Sequence, residues 1–194
     1  MGKARAFVIT GPSGVGKGTL IRGLLERVPG LEPSVSATTR GRRPAERDRV
    51  DYYFLTREEF DDRVGDGAFL EHAAYSGNRY GTLRAEVVQR LERHVPVVLE
   101  IEVQGARQVR EALPEAVAVF IAPPSPEALR ERLLGRGTDT AEAMEERLRT
   151  AETELRARSE FAHVIVNDEI ERATEELVAI VRNSLAGDEG AAGR

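Results

Sequence analysis

The chain contains no cysteine, which removes disulfide frameworks, thiolate metal sites and thiol nucleophiles together. Its three histidines, at 72, 94 and 163, are too scattered for metal-ligand spacing, so any metal here is bound by oxygen. No apolar run approaches the roughly 20 residues that span a bilayer. The opening MGKARAFVIT has no signal-peptide layout, and the expected compartment is the cytoplasm. Positive charge is in the minority, 28 basic residues against 33 acidic for a formal charge of −5, which speaks against a dedicated nucleic-acid binder. Lysine is almost absent: apart from Lys3 and Lys17 every basic residue is arginine. A lysine kept in such a background points to a task that a guanidinium does not perform. What is present is 194 residues, 41% hydrophobic and 31% charged, enough for one folded domain with a small insertion or lid.

Four runs rich in Val, Ile and Ala, at 4–10, 95–101, 116–122 and 163–167, read as strands buried on both faces, the signature of a parallel sheet. Helical patterns separate them at 19–27, 83–93, 104–112, 126–134, 141–159 and 169–185, with Ser125 as an N-cap before Pro126. Alternating strands and helices predict a doubly wound α/β fold. Residues 31–81 break that rhythm with short strand-like pieces, a capping-box start at Thr56-x-x-Glu59 and turn signals at Gly65, Gly67 and Gly77, the pattern of an inserted α+β subdomain. The Gly-rich joint 135–141 between two arginine-bearing helices suits a hinged flap.

Residues 11–19, GPSGVGKGT, follow the first apolar strand and open the first helix, the context of a phosphate-binding loop. Gly11, Gly14 and Gly16 permit positive φ and close approach of N–H groups to phosphate oxygens, and the helix N-terminus adds partial positive charge. Pro12, Ser13 and Val15 complete the loop, and Lys17 supplies a point charge to the terminal phosphates. The alternative is a Gly-rich turn with an incidental lysine, which strand, spacing and lysine together disfavour. The Walker pattern wants Ser or Thr directly after the lysine, whereas here Gly18 precedes Thr19. GKGT resembles the loop of adenylate kinases, which implies Mg²⁺ held through waters near Thr19.

Read by composition alone, the arginines of 34–53 interleave with Glu46, Asp48 and Asp51 and fit a solvated mixed-charge loop. In sequence order, however, VSATTRGRRP, DYYF, FLEHA, SGNRYGT, LEIEVQGA, FIAPPS, RLLGRGTDT and VIVND follow the phosphate loop. This ordered set resembles the guanylate kinases, nucleoside monophosphate kinases that convert GMP to GDP with ATP, over nearly the whole chain. The resemblance implies a P-loop core at 1–33, 83–124 and 161–185, a GMP-binding insertion at 34–82, a lid at 125–160 and a flexible tail at 186–194. It also implies that Arg40, Arg43, Tyr52 and Tyr80 bind the acceptor phosphate, a set suited to a dianion.

By the same resemblance Ser36, Glu71, Thr82 and Glu102 read the base. A carboxylate at 71 suits the two adjacent donors of guanine, N1–H and the N2 amino group, and opposes adenine, whose N1 is an acceptor. Taken singly, Glu71 also reads as a surface acid on an edge strand, and Tyr52 and Tyr80 as half-buried core. The family usually has Asp where Glu102 stands, and often a glycine near Arg49. Glu100 stands two residues before Glu102 at a strand's end, on the same side of the sheet; it reads either as an organiser of waters around Mg²⁺ or as a supporting acid.

Arg130, Arg132, Arg136 and Arg147 lie among glutamates at helical spacing, and charge pairing explains most of that pattern. The resemblance implies that Arg132 and Arg147 close over the transferring phosphoryl group, with Arg136 near the adenine or the triphosphate and Asn167 lining the adenine pocket. The expected small-molecule partners are ATP and GMP, with dGMP as a further acceptor and Mg²⁺ as cofactor. The rival expectations are a non-catalytic guanylate-kinase-like binding module, which lacks a working phosphate loop, a kinase for another phosphorylated acceptor, and nucleic-acid binding through the 40–49 arginines.

Overall fold

A computed structural model describes residues 4–75, 77–134 and 141–187. The joint at 135–140, with Arg136, and the end of the tail lie outside the described residues.

The four apolar runs form four strands of a five-stranded parallel sheet. Strand β1 (Ala6–Thr10) lies between β7 (Val97–Glu100) and β8 (Val117–Ala122), and β9 (His163–Val166) extends the sheet beyond β8. A short edge strand, β2 (Glu32–Pro33), pairs with β7. Proline is tolerated there because an edge residue owes the ladder no N–H on its outer side. All five residues of β1 are buried, and their alternation feeds two cores. Phe7 and Ile9 pack with Leu20, Leu24, Leu177 and Val181, whereas Ala6 and Val8 pack with Val87, Leu99, Ala106 and Val109.

Those partners come from helices on both faces. Helices α1 (Lys17–Arg27) and α7 (Ile170–Ala186) cover one face, and α3 (Arg84–Glu92) and α4 (Val103–Ala112) the other. The two arginine-bearing helices, α5 (Pro126–Leu134) and α6 (Ala141–Arg156), join the first core through Leu129, Leu133 and Ala151. Ser125 caps α5, its hydroxyl accepting from Ala128 N–H at 3.2 Å. Among the described residues no helix is long and apolar enough to cross a membrane.

The irregular segment folds as a second sheet, ordered β4 (Tyr53–Phe54), β3 (Ser36–Thr38), β6 (Asn78–Leu83), β5 (Phe69–Tyr75). Helix α2 (Arg57–Gly65) starts at the Thr56/Glu59 capping box and seats Phe60 on this sheet, stacked 4.5 Å from Phe69. Strand β6 was not anticipated, because its residues NRYGTL alternate too weakly to announce a strand; it is made by pairing with β5 and β3 on either side. Helix α4 covers the outer edge of β5: the Gln108 amide donates to His72 O at 2.9 Å and accepts from His72 N–H at 3.1 Å. An edge that could template aggregation is thereby closed.

Candidate active site

Between the two sheets lies a cavity of about 450 Å³. Its phosphate end is the loop after β1. Gly11, Gly14 and Gly16 have φ of 138°, 82° and 101°, conformations that side chains rarely adopt. A Cβ at Gly11 would stand 2.2 Å from Ile121 O, so the loop is also pressed against β8. Gly16 is the left-handed N-cap of α1. Val15 is fully buried, and its carbonyl accepts from Asn167 Nδ2 at 2.8 Å and from Arg132 at 3.3 Å. Arg132 also donates to Asn167 O at 3.0 Å, so it braces the flank of the loop. The buried Oδ1 of Asn167 has no hydrogen-bond partner, which leaves an acceptor at the place where the resemblance implies adenine.

Lys17 Nζ donates to Gly11 O at 2.6 Å and to Pro12 O at 3.2 Å, curled over its own loop. Ser13, Lys17 and Arg147 line the cavity together with Glu100 and Glu102. A Cβ on Gly18 would meet Glu100 Oε2 at 3.4 Å, so the carboxylate occupies the neighbourhood that a longer residue after the lysine would claim. Among the described residues no three acids or histidines cluster as a metal cage. One exposed carboxylate beside the loop, with Thr19 a residue further on, suits Mg²⁺, which keeps most of its waters and binds chiefly to substrate phosphates.

The base end is a product of strand register. Ser36 pairs with Thr82 across β3 and β6, and Thr82 with Glu71 across β6 and β5, so the three stand in one row. Two residues further along stand Thr38, Tyr80 and Ala73, about 7 Å away. A bulge between Phe69 and Glu71 sets which way Glu71 faces. Phe69 and His72 turn toward Phe60, while the consecutive residues Leu70 and Glu71 both turn toward α4. Without the extra residue Glu71 would share the side of Phe69.

Glu71 is 5% exposed, so the reading of a surface acid on an edge strand fails: β5 is an edge, but α4 covers it. Gly105 of α4 makes the room, since a Cβ there would stand 2.6 Å from Glu71 Oε2. The Thr82 hydroxyl donates to Glu71 Oε1 at 2.7 Å. Burial pushes the Glu71 carboxyl up to about 7, against the hydrogen bonds from Thr82 and with some help from Glu102. Thr82 is itself fully buried and bears on the cavity through Glu71. Glu102, the N-cap residue of α4, is pushed up by burial and held down by the Lys17 ammonium.

Arg43, Tyr52 and Tyr80 line the same cavity. Tyr52 and Tyr80 pack edge to face with centroids 6.4 Å apart, and burial raises the Tyr52 phenol. Arg40 lies 5.4 Å over the Tyr52 ring and is paired through both nitrogens with Glu46, at 2.7 and 3.0 Å. Arg49, close to where the family often has glycine, sits at φ 60°, the left-handed conformation that glycine serves without strain.

Two contributors escaped the sequence reading. Gly105 was legible as a lone glycine within a helical pattern, a sign of close approach. Glu154 of α6 is 9% exposed and flanks the apolar stripe of Leu148, Ala151 and Leu155; a charge at the border of such a stripe was the available signal.

The sequence model described as guanylate kinase matches residues 3–184. A guanylate kinase of Rubrobacter xylanophilus is 51% identical over 187 residues, spanning 96% of this chain and 98% of that protein. One of Streptomyces coelicolor is 49% identical over 178 residues, spanning 92% and 90%. The crystal structure of guanylate kinase from Anaplasma phagocytophilum matches with a TM-score of 0.77 at 32% identity, over 95% of this chain and 88% of that one.

Proposed function

Because the chain belongs to the guanylate kinase family, we propose that it transfers the γ-phosphoryl group of ATP directly to the phosphate of GMP, and of dGMP, giving ADP and the nucleoside diphosphate in the cytoplasm. The observation that supports this most is that Ser36 and Glu71, joined in one row through the buried Thr82, face one cavity with Lys17 and Arg147: a base reader and a phosphate loop at opposite ends of a space of nucleotide size.

We assign residues 34–82 to acceptor binding, 125–160 to the lid, and 1–33, 83–124 and 161–185 to the P-loop core. Guanine offers two neighbouring donors to the two oxygens of Glu71, with Ser36 and Glu102 beside them. Arg40, Arg43, Tyr52 and Tyr80 hold the acceptor phosphate, which requires Arg40 to exchange Glu46 for substrate. The loop from Gly11 to Thr19 wraps the donor phosphates. Arg136 and Asn167 serve the donor side, and Arg132 closes with Arg147 over the transferring phosphoryl group. Glu100 and Thr19 would hold Mg²⁺ through waters, and the ion would neutralise charge on the phosphates. Lys17 and Arg147 stabilise the negative charge that spreads over the equatorial oxygens in flight. The acceptor is a phosphate oxygen that needs no strong base, so His72, turned to Phe60 on the far side of β5, has no part in the chemistry. A non-catalytic binding module is not favoured, since the whole phosphate loop, lysine included, is formed.

The test is ADP release with ATP and Mg²⁺ against GMP, dGMP, AMP, IMP and CMP, with a no-acceptor control. Strong turnover with GMP, weaker with dGMP and little with the others is the expected outcome. Equal use of AMP would refute the base-reading role of Glu71, and no turnover with any acceptor in folded protein would refute the kinase reading.

A further inference from the structure

Resting on the functional reading above, we propose that Glu86 is a positioning residue for phosphoryl transfer: its carboxylate, accepting from Tyr53 and Arg90, fastens the acceptor-binding sheet to the P-loop core so that the two ends of the cavity face each other. The chain crosses between the two sheets at residues 34–35 and 83–84, and Glu86 stands in the first turn of α3, directly after the second crossing. Its Oε2 accepts from the Tyr53 hydroxyl at 2.8 Å. Its Oε1 accepts from the Arg90 guanidinium and, at a longer 3.4 Å, from the N–H of Val35 in the first crossing. Arg90 in turn donates from Nε to Glu32 of β2 at 2.9 Å. One side chain thus links the second sheet, the first crossing, a core helix and the edge of the core sheet.

Its place on the second sheet gives this link its use. In the order β4, β3, β6, β5 the two edges are β4 and β5. The β5 edge is held by α4, through the Gln108 and His72 pair and through Leu70 in the core of that face. A sheet fastened along one edge is free to swing about it. Tyr53 lies on the opposite edge, in the two-residue strand β4 that pairs with β3, and its bond to Glu86 stops the swing. Neighbouring residues of an extended strand face opposite ways. With Tyr53 turned to Glu86 and to the cluster of Ala37, Phe60 and Phe69, Tyr52 is presented to the cavity. Displacement in a swing grows with distance from the held edge, so it moves Tyr52, and the acceptor phosphate with it, more than it moves Glu71. The Glu86 side chain is only 10% exposed, so water competes poorly for these bonds and they hold better than a surface ion pair.

Tyr53→Phe removes one hydroxyl and leaves the ring in its cluster. Loss of a hydrogen bond to a charged acceptor shifts the balance between fastened and swung arrangements about 10- to 100-fold. The fraction held fastened, and with it kcat for ATP and GMP, should fall about 5-fold, while the dissociation constants of GMP alone and of ATP alone, by calorimetry, each change less than about 3-fold. Glu86→Gln, which keeps size and shape, should lower kcat by a comparable factor, yet cost less than about 2-fold more in the Tyr53→Phe background, because the bond it weakens is already gone. A full second loss in the double variant, an unchanged or raised kcat, or a GMP dissociation constant that rises as much as kcat falls would overturn the proposal. A second readout needs no turnover. The chain has no cysteine, so spin labels at Glu58→Cys in α2 and Asn183→Cys in α7, both exposed positions, report the distance between the second sheet and the core without background. In ligand-free Tyr53→Phe protein the spread of that distance should be at least about 2-fold wider than in the parent, and identical distributions would equally overturn the fastening. Wild-type protein that fails to phosphorylate GMP would overturn the functional reading, while the label distances still decide on the fastening, so the two failures are distinguishable.

Discussion

The two ends of the cavity are built in opposite ways. The phosphate end is one contiguous stretch, Gly11 to Thr19, whose business is done by main-chain N–H groups in conformations that glycine permits. The base end gathers Ser36, Glu71, Thr82 and Glu102 from four separate elements, and it works through side chains held by strand register, a bulge and the missing Cβ of Gly105. A backbone site is insensitive to most side-chain changes and fails at the few positions that set its φ or its charge. A register-built site is exposed to any slip in the sheet, yet each of its side chains can be tuned singly.

Substitutions at each end should therefore separate chemistry from recognition. The largest effect is expected of Lys17→Ala, which should lower kcat on the order of 10³-fold, as loss of a charge stabiliser in the transition state does, while GMP binding by calorimetry stays near the wild-type value. Appreciable kcat in that variant would remove the lysine from the chemistry.

Glu71→Gln acts at the other end. It should weaken GMP about 100-fold, since one amide hydrogen faces a guanine donor, and leave ATP binding unchanged. This variant also sharpens the pH behaviour. Because the folded Glu71 carboxyl titrates near 7, above its ordinary 4.5, the folded protein holds a proton that the unfolded chain releases. Ligand-free stability should accordingly be greatest at low pH on this account and fall by about 3 kcal/mol as pH rises from 4.5 to about 7. Glu154, also raised to about 7, adds a drop over the same window, so Glu71→Gln should remove only part of the slope of urea midpoint against pH. GMP requires the charged form, and its affinity should rise about tenfold per pH unit up to 7 through this group. A variant with the wild-type pH slope, carrying the same substrate phosphate, would exonerate Glu71.

The smallest effect lies outside both ends. Arg49 is held at φ 60°, and Arg49→Gly should change stability by no more than about 1 kcal/mol, upward, as relief of left-handed strain outweighs the added freedom of the unfolded chain. A lower thermal midpoint would show that the Arg49 side chain contributes more than its backbone costs.

The same contrast governs what could be read without coordinates. The parallel core was legible because a strand buried on both faces writes itself as Phe7-Val8-Ile9 whatever surrounds it. The edge strand β2 was not, being two residues long and half proline, and β6 was not, since it exists by virtue of its neighbours. Within the site, Lys17 stood out in a chain that uses arginine elsewhere. Glu71 looked as much like a surface acid as a base reader.

What the sequence determined alone is whatever depends on local conformation: the phosphate loop, in which glycine spacing dictates φ and therefore where the N–H groups point, and the alternation of buried strands with helices. Only the tertiary structure decided that the bulge at Phe69–Glu71 turns one carboxylate inward, that Gly105 leaves it room, and that Glu154 is buried. Burial, and the shift in acidity that follows from it, belongs to the groups that pack around a side chain, and those arrive from distant parts of the chain.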